Sequence, residues 1–388
     1  KYINDTYGHE TGDAMIKSMA ARLQQVLPPG HLLCRRSGDE FIAVVDTTVP
    51  GSEDRLREAL SRLNPVDVPV GSDSIPASAT VGISRLPEDA TNWQELQICA
   101  DVAMNEGKQT RRGSVQWYDA RLGRKMYRQR QIQRRLAQAI EQEALRVFYQ
   151  PEVDLRTGRV IGFEALARWT DPELGEVSPT EFIAVAEGAH LIEPLTLLVA
   201  QAVLRDKPRL QARYPGAVVA FNVAPQVLRN PRLLKLLASR AAQDGMIDGL
   251  EVELTESQVD LGEGGLLPHL QALTELGVHL AIDDFGTGHS SLSRLAQLPI
   301  SRLKIDRSFV VDLHQERQAK IARLIVNLAR GLGFEVTAEG VEKPQQAQDL
   351  LEMGCHRGQG WLFARALPLD AALALVEPLQ PVAADAEA

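Results

Sequence analysis

Cysteine is scarce in this chain of 388 residues. Its three cysteines, Cys34, Cys99 and Cys355, are far apart, and none belongs to a Cys-x-x-Cys pair. A disulfide framework and a cysteine-ligated zinc site are therefore not expected, because both need matched sets of cysteines. So few scattered thiols are typical of a reducing compartment, and we expect a cytoplasmic location.

The sequence also lacks a long apolar run. Its richest apolar stretch, Leu195–Leu204, is far shorter than the roughly 18 residues that indicate a membrane span. The first residues, Lys-Tyr-Ile-Asn-Asp, have none of the features of a signal peptide. We expect no membrane contact within the 388 residues. Because the start has the character of a domain interior, we expect the natural chain to extend upstream, where a sensory or membrane region could lie.

An excess of basic residues is missing as well. The 42 Lys and Arg residues face 51 Asp and Glu residues, which gives a net charge of −9. Binding to polymeric nucleic acid needs a basic surface, so that class of function is not expected. A small anionic ligand held through metal ions remains compatible with this charge.

The N-terminal part predicts a mixed α/β domain over residues 1–119. Hydrophobic periodicity and turn residues indicate helices over Thr11–Leu27, Glu53–Leu63 and Asn92–Lys108, and strands over Leu32–Arg36, Phe41–Val45 and near Ala79–Ser84. Ser37-Gly38-Asp39-Glu40 lies between the first two strands and predicts a hairpin. A helical pattern over Leu122–Gln142 then predicts a helical connector at residues 120–142.

From Arg146 onward, short apolar strands alternate with helices at about 30 residues per unit, as in a parallel (β/α)8 barrel of the TIM type. We predict this barrel over residues 143–378, followed by a disordered tail at 379–388 that is rich in Ala and acidic residues. The predicted strands are Val147–Gln150, Val160–Leu166, Ala217–Val223, Glu251–Leu254, His279–Ile282, Leu303–Ile305 and Glu335–Ala338.

Polar side chains recur in or just after six of these strands. They are Glu164, Asn222, Glu253, Asp283 with Asp284, Lys304, and Glu339. A single Asp-Asp pair before a Gly-rich segment is more often a turn or a helix cap than a metal site. Six strands with a polar residue at the same end are harder to explain by solvation. Because the C-terminal strand ends of a barrel converge on one face, we expect these side chains to ring one pocket.

The charge of that pocket predicts its chemistry. Six carboxylates, those above and Glu342, could not all stay ionised against Lys304 and Arg168 alone, so they must take up protons or recruit cations. All the candidate ligands carry oxygen donors, which favours Mg²⁺ or Mn²⁺ over Zn²⁺. Adjacent Asp283 and Asp284 suit two ions. Two ions about 3.5–4 Å apart can generate a hydroxide and stabilise an in-line displacement at phosphorus.

These motifs together resemble the EAL-domain cyclic di-GMP phosphodiesterases across residues 122–377. The resemblance rests on Glu164-Ala165-Leu166-Ala167-Arg168-Trp169, Tyr149-Gln150-Pro151, Phe221 to Pro225, Glu253-Leu254-Thr255-Glu256, Asp283 to Gly288, Lys304-Ile305-Asp306, Ala338 to Glu342, and Gln359-Gly360. It implies hydrolysis of cyclic di-GMP to linear pGpG with two Mg²⁺ or Mn²⁺ ions.

The same resemblance implies a role for each matching residue. Glu164, Asn222, Glu253 and Asp283 would bind one ion, and Asp283 with Asp284 the second. Glu339 would be the general base or orient the bridging water, and Lys304 would steady that water and the phosphate. Glu342 and Gln359 would support the metal shell and the substrate, while Gln150 and Arg168 would touch the nucleotide. Glu256 would anchor the Asp283–Ser291 loop near a homodimer contact.

Some positions depart from the usual EAL pattern, and no catalytic residue is among them. Glu152 stands where an aliphatic residue is usual, His190 where Gly is usual, His356 where Asp is common, and Ala366 where Pro is usual. We expect these changes to affect substrate affinity and local packing rather than the metal chemistry.

The N-terminal part resembles the GGDEF domain of diguanylate cyclases, which implies a palm-like or ferredoxin-like sheet. Asn4-Asp5-Thr6-Tyr7-Gly8-His9, Gly12-Asp13 and Ser37-Gly38-Asp39-Glu40-Phe41 carry the resemblance. It implies a GTP site made by Asn4, Asp13, Asp39, Glu40 and Lys108. Ser37 replaces a Gly beside the triphosphate, and Asn105 and Gly107 depart from the usual helix, so we expect a degenerate, regulatory domain.

Three functions remain open at this stage. An active phosphodiesterase is favoured, because every metal and base position is filled. A catalytically inactive cyclic di-GMP receptor is the second, although such proteins usually lose one of these carboxylates. The third is a bifunctional cyclase and phosphodiesterase. An assay that follows cyclic di-GMP, pGpG and GTP together would discriminate among them.

Overall fold

The computed structural model describes residues 8–48, 50–70, 73–244, 247–256, 265–287 and 295–379. The chain divides into two compact units, residues 1–131 and 132–388, and the division falls within one helix, Ala120–Glu141. No helix in the described ranges is both long and apolar enough to cross a membrane. Asn4 and almost all of the predicted tail at 379–388 lie outside the described residues.

The first unit is a mixed α/β domain, as predicted. Its helices are α1 (His9–Val26), α2 (Ser52–Ser61) and α3 (Trp93–Thr110), and its strands are β1 (Leu32–Ser37), β2 (Glu40–Val44), β3 (Val66–Val70), β4 (Asp73–Ala77), β5 (Val81–Ile83) and β6 (Val115–Trp117). The described strands pair two by two: β1 with β2 and β3 with β4 are antiparallel, and β5 with β6 is parallel.

The β3–β4 hairpin was not predicted from the sequence. Pro69 lies inside β3 and Pro76 inside β4, and proline within an apolar run argues against a strand because it cannot donate a ladder hydrogen bond. These two strands pair only with each other among the described residues, so each has an open edge that tolerates proline. The hairpin at Ser37-Gly38-Asp39-Glu40 is confirmed, and Gly38 adopts the positive φ of 52° that its tight turn requires.

The second unit is a closed eight-stranded barrel surrounded by helices, which confirms the predicted fold class. Helix α4 (Ala120–Glu141) leads into it. The strands are β7 (Arg146–Asp154), β8 (Val160–Asp171), β9 (Gly175–Val177), β10 (Val218–Asn222), β11 (Leu250–Thr255), β12 (His279–Phe285), β13 (Arg302–Ile305), β14 (Glu335–Ala338), β15 (Arg357–Gln359) and β16 (Leu367–Pro368).

The barrel closes in the order β7, β8, β10, β11, β12, β13, β14, β15 and back to β7. Two predictions need correction. Strand β7 runs antiparallel to both neighbours, so the barrel is not wholly parallel, and β15 is an eighth strand that the sequence did not reveal. Strand β15 has only three residues and contains Gly358, so it lacks the apolar alternation by which strands are recognised.

The helices of this unit cover the outside of the barrel. They are α5 (Pro179–Gly188), α6 (Ile192–Arg213), α7 (Pro225–Leu228), α8 (Pro231–Asp244), α9 (Leu267–Glu275), α10 (Arg307–Val311), α11 (Glu316–Leu332), α12 (Pro344–Met353) and α13 (Leu369–Leu373). Helix α11 illustrates the packing, because it buries Ala322, Ile325, Val326 and Ala329, spaced three or four residues apart on one face.

His190 has a structural explanation. Its φ is 58°, in the left-handed region, and it follows Ala189, the C-cap residue of α5. The amide of the next residue, Leu191, donates to the carbonyl of Ala186 at 2.8 Å, which closes the helix end. Gly adopts this conformation without cost, so His190 carries a local backbone strain in place of the Gly that the family usually has.

The N-terminal end of the barrel is closed by a buried ionic network. Arg302 lies 2.9 Å from Glu251, 3.3 Å from Glu152 and 3.1 Å from Glu335, and Arg357 lies 3.0 Å from Glu152. Burial alone would raise the pKa of Glu152, but the two guanidinium groups outweigh it and lower the pKa to about 2. Glu152 therefore stabilises the end of the barrel opposite to the predicted pocket, and the expected effect on substrate affinity has no basis in its position.

We predict that Arg302→Met destabilises the barrel by about 3–5 kcal/mol, because it leaves Glu251 buried without its cation and leaves Glu152 with Arg357 alone. Lys320→Met is the matched control, since Lys320 pairs with Glu316 at 2.6 Å on the exposed surface of α11. That substitution should cost less than about 1 kcal/mol. Guanidinium unfolding of the full chain, followed by near-ultraviolet circular dichroism, measures both. Equal losses for the two variants would contradict this account of the network.

Candidate active site

The C-terminal strand ends bring the predicted carboxylates together. In the parallel register Asn222 of β10 lies opposite Glu253 of β11, and Ala220 lies opposite Glu164 of β8. The amide nitrogen of Asn222 donates to Glu164 at 2.9 Å and to Glu253 at 3.4 Å. Both carboxylates are buried. Three residues separated by up to 89 positions thus form one cluster because adjacent strands end at the same level.

Lys304 lies at the centre of this cluster. Its ammonium is 2.6 Å from Glu339, 2.9 Å from Glu253, 3.4 Å from Glu164 and 3.5 Å from Asp283, and the residue is only 2% exposed. Burial alone would lower the pKa of Lys304, but the surrounding carboxylates outweigh it and hold the pKa well above its usual value. Lys304 is therefore a fixed cation that holds its proton.

A single ammonium does not balance the charge around it. Burial raises the pKa of Glu253 and of Glu339 well above the usual value; Lys304 opposes this shift, and neighbouring carboxylates reinforce it. Without a further cation, these two carboxylates would have to take up protons to remain buried and poorly solvated. Bound metal ions would remove that need.

The carboxylates also have a geometry that could hold metal ions. Glu164, Glu253 and Asp283 form one group whose ligand atoms lie within 4.8 Å of one another, and Asp283, Asp284 and Glu339 form a second. Asp283 belongs to both groups. All these donors are oxygens, which suits hard divalent cations rather than zinc.

Asp284 adopts an unusual backbone conformation. Its φ is 54°, and its amide donates to the carboxylate of Asp283 at 2.9 Å. Burial, followed by the charges of Asp283 and Asp306, raises the pKa of Asp284 to about 6. The left-handed turn positions the two adjacent carboxylates at the second metal-competent group, and a residue without a short polar side chain would rarely adopt it.

Asp306 is a site residue to which the sequence analysis gave no role. It follows β13 directly, caps helix α10 by accepting from the amide of Ser308 at 3.0 Å, and faces Asp284 closely enough to raise its pKa. Its place after Lys304-Ile305, at the same strand end as the other ligands, was the available signal. The capping function of an Asp at a helix start concealed it.

Two glutamines connect the metal-competent groups to the next layer of the barrel. The amide of Gln359 donates to Glu164 at 2.6 Å and to Gln150 at 3.2 Å, and that of Gln150 donates to the carbonyl of Ala364 at 3.2 Å. Gln150 lies opposite Glu164 in the β7–β8 pairing. These bonds orient Glu164 and fix the segment that follows β15.

Two other predicted residues have partners outside the metal-competent groups. Glu342 accepts from the guanidinium of Arg307 at 2.7 Å. Arg168 donates to the carbonyl of Ala167 at 2.9 Å, and its guanidinium carbon lies 5.9 Å from the centre of the Phe148 ring. Both residues lie at the C-terminal end of the barrel, outside the two carboxylate groups.

Glu256 holds the segment that follows Asp284. Its carboxylate accepts from the amide of Gly286 at 2.8 Å. Gly286 has a φ of 103°, and a Cβ there would lie 2.8 Å from the Phe309 ring, so this position needs glycine. The predicted loop Asp283–Ser291 is described as far as Thr287, and Gly288 to Ser291 lie outside the described residues.

In the first unit, the predicted GTP residues are mostly on the surface. Asp13 on α1, Asp39 in the hairpin turn and Lys108 in the last turn of α3 are exposed, and Glu40 is half-buried. Among the described residues, both metal-competent groups belong to the barrel. Gly107 has a packing reason, because a Cβ there would lie 2.9 Å from the methyl group of Thr80.

Fold and site together define a barrel protein whose C-terminal face carries an acidic, oxygen-donor centre able to hold metal ions. Such a centre at the strand ends of a (β/α)8-type barrel is typical of an enzyme. The chain belongs to the EAL domain family, which it matches over residues 133–366, and residues 1–114 match the family described as diguanylate cyclase, GGDEF domain. The EAL family is metal-dependent, in agreement with the acidic groups.

Named relatives agree with this assignment. The chain is 35% identical over 374 residues to the cyclic di-GMP phosphodiesterase NbdA of Pseudomonas aeruginosa, covering 96% of this chain and 48% of NbdA. It is 32% identical over 391 residues to the bifunctional diguanylate cyclase/cyclic di-GMP phosphodiesterase MucR of the same organism, covering 97% of this chain and 55% of MucR. It thus spans about half the length of the curated relatives it matches.

A solved structure resembles the barrel. It is described as the PaMucR phosphodiesterase in complex with c-di-GMP, and it is 34% identical to this chain with a TM-score of 0.56. The similarity covers 62% of this chain and 99% of that one. The likeness therefore concerns the barrel unit and supports its family assignment.

Proposed function

We propose that the barrel hydrolyses cyclic di-GMP to linear pGpG with two Mg²⁺ or Mn²⁺ ions. One observation carries this proposal: two clusters of three carboxylates, which have Asp283 in common, lie beside the buried ammonium of Lys304. The relatives named as cyclic di-GMP phosphodiesterases support the choice of substrate. Residues 143–378 would be the phosphodiesterase barrel, and residues 120–142 the helical connector from the GGDEF-like residues 1–119.

The site residues fit the roles that such a reaction needs. Glu164, Asn222, Glu253 and Asp283 would hold one ion, with the Asn222 amide turned to present its oxygen, and Asp283 and Asp284 would hold the other. When bound, the ions would lower the pKa of water and stabilise the negative charge on the phosphoryl oxygens in the transition state. Gln359 keeps Glu164 oriented, and Glu256 keeps the segment after Asp284 in place.

Proton transfer falls to Glu339. Its carboxylate takes a proton from the attacking water as the water oxygen bonds to phosphorus, and the bond from phosphorus to O3′ breaks. The leaving O3′ takes up a proton from solvent, and the phosphate stays on the 5′ oxygen of pGpG. Lys304, 2.6 Å from Glu339, orients this carboxylate and steadies the phosphate with its fixed charge. Gln150, Arg168 and Glu342 would contact or support the nucleotide around this centre.

We further propose a homodimer through the barrel, with the Asp283–Ser291 loop near the contact. The resemblance to EAL-domain phosphodiesterases supports this proposal, and the bond from the Gly286 amide to Glu256 ties the start of that loop to the strand end of β11. A dimer contact on the loop could then alter Asp283 and Asp284 through a few backbone residues.

Hydrolysis should depend on Mg²⁺ or Mn²⁺ and stop at pGpG. Ca²⁺ should inhibit, because it favours more ligands and longer bonds than two closely spaced oxygen sites allow. Anion-exchange chromatography of the nucleotides after treatment with each metal measures this. Robust turnover after exhaustive chelation would rule out a metal-dependent reaction, and activity with zinc alone would contradict the oxygen-donor argument.

Glu339→Gln should lower kcat by about 10²–10⁴-fold, the usual worth of a general base. The substitution keeps the shape of the side chain, and the Mn²⁺-induced rise in the thermal unfolding midpoint should shrink but not disappear, because Glu339 is only one of three carboxylates in the second metal-competent group. Glu352→Gln, at an exposed glutamate on α12, is the matched control and should leave kcat unchanged. A Glu339→Gln enzyme within about threefold of the control would remove Glu339 from the mechanism.

The GGDEF-like unit should make little or no cyclic di-GMP and should instead regulate the barrel by binding GTP through Asn4, Asp13, Asp39, Glu40 and Lys108. The full chain carrying Glu164→Gln, which cannot destroy the product, should form cyclic di-GMP from GTP far below the rates on the order of 1 s⁻¹ typical of enzymes. GTP should raise the phosphodiesterase rate of the wild-type chain without itself being consumed. Asp13→Ala should abolish this activation, whereas Lys17→Ala, at an exposed position on the same helix, should not.

Synthesis of cyclic di-GMP at enzymatic rates would instead support the bifunctional alternative. The similarity to MucR, named as bifunctional, is the observation that keeps that alternative in view. Binding of cyclic di-GMP without hydrolysis in the presence of any of the metals tested would support the function of a catalytically inactive receptor.

A further inference from the structure

The segment from Gly360 to Arg365, which follows β15, is held beside the candidate active site by backbone and side-chain bonds. The amide of Val341 donates to the carbonyl of Gln359 at 3.0 Å, and that of Leu362 donates to Val341 at 3.0 Å. A Cβ at Gly360 would lie 2.1 Å from the Val341 carbonyl oxygen. With the bond from Gln150 to Ala364, these contacts fix both ends of the segment next to Glu164.

Trp361 stands in this fixed segment with its ring half in solvent. The residue is 49% exposed, although tryptophan has more apolar surface to bury than any other side chain. The guanidinium carbon of Arg365 lies 4.2 Å from the ring centre, and that of Arg307 lies 5.2 Å away. The ring is therefore both exposed and restrained by two cations.

Arg307 connects this ring to the catalytic end of β14. Its guanidinium is held by Glu342 at 2.7 Å, and its aliphatic chain crosses Gly340, where a Cβ would lie 2.2 Å from the Arg307 Cγ. Gly340 is the neighbour of Glu339 in the chain. Arg307 thus lies near both the Trp361 ring and the residue that follows Glu339, which we assign as the general base.

We propose that Trp361 is a stacking platform for a purine base of the cyclic dinucleotide, held in position by Arg307 and Arg365; this inference rests on the proposed function. Proteins that bind single-stranded nucleic acids combine aromatic rings, on which the bases stack, with cationic groups that neutralise the phosphates, and the same chemistry suits a cyclic dinucleotide. The ring is pre-positioned, so little conformational entropy is lost when a base stacks on it.

Trp361→Ala should raise the KM for cyclic di-GMP about 5- to 100-fold, the range expected for losing one base–aromatic stack, with a much smaller change in kcat. Trp361→Phe should recover most of the loss because it keeps an aromatic face. For bis(p-nitrophenyl) phosphate with Mn²⁺, the fold loss in kcat/KM should be at least five times smaller than the fold loss for cyclic di-GMP, since that diester has no purine. Trp93→Ala removes a tryptophan of similar exposure, 46%, from the first unit and is the matched control.

Isothermal titration of cyclic di-GMP into Glu339→Gln and into Glu339→Gln with Trp361→Ala separates this inference from the proposed function. Weaker binding on loss of Trp361 supports the platform even if the wild-type chain does not hydrolyse the ligand. A wild-type enzyme that hydrolyses cyclic di-GMP, with KM and Kd unchanged within twofold in Trp361→Ala, would overturn the platform and leave the phosphodiesterase intact. No binding of cyclic di-GMP to any variant would overturn both.

Discussion

The ammonium of Lys304 lies within 3.5 Å of oxygens from four carboxylates, three of them on strands β8, β11 and β12 and one directly after β14. Two like charges about 4 Å apart repel each other by about 4 kcal/mol at an effective dielectric constant of 20, so several such pairs strain the fold heavily. One ammonium offsets only part of this repulsion. The barrel must therefore be stable enough from its other contacts to hold an acidic site together, and the site in turn favours any divalent cation that enters it.

The same strands carry the opposite arrangement at their other end. Glu251 and Arg302 lie two residues before Glu253 and Lys304 on β11 and β13, so each pair points to the same interior side of the barrel. At the N-terminal end, two arginines serve Glu152, Glu251 and Glu335, and the network is nearly balanced. At the C-terminal end, one lysine serves at least four carboxylates. Successive inward positions of one strand thus belong to different sites: the first lies in the ionic network, and the second lies in the acidic cluster that could hold metal ions.

Much of the acidic cluster could be predicted from the sequence. In a barrel with parallel strands, residues at the C-terminal ends of neighbouring strands lie next to one another. Glu164, Asn222, Glu253, Asp283 and Glu339 converge as the strand ends predicted. The direction of β7 could not be predicted in this way, since an alternating run such as Val147–Gln150 has the same pattern in either direction. That reversal is why Glu152 lies in the distant ionic network although it is only two residues from Gln150.

Contacts between side chains that are distant in the sequence were harder to predict. Asp306 serves both as a helix cap and as a neighbour of Asp284, and sequence alone favours the cap because that role needs only local residues. Glu342 pairs with Arg307, whose position depends on the absence of a side chain at Gly340. In each case the decisive contact joins residues from different βα units, and its geometry follows from packing rather than from a local pattern.

The bond between Glu256 and Gly286 gives the acidic centre a dependence on distant parts of the barrel. Asp283 and Asp284 lie at the end of β12, where the pairing with β13 is irregular between Ile282 and Phe285, and Asp284 has a left-handed backbone. On the side that faces β13, regular pairing is therefore missing beside these two carboxylates, although the pairing with β11 continues to Asp283. The amide of Gly286, held 2.8 Å from Glu256, supplies a constraint that the ladder lacks. Any change that releases Glu256 would therefore act first on Asp284 and on Asp283, which belongs to both metal-competent groups.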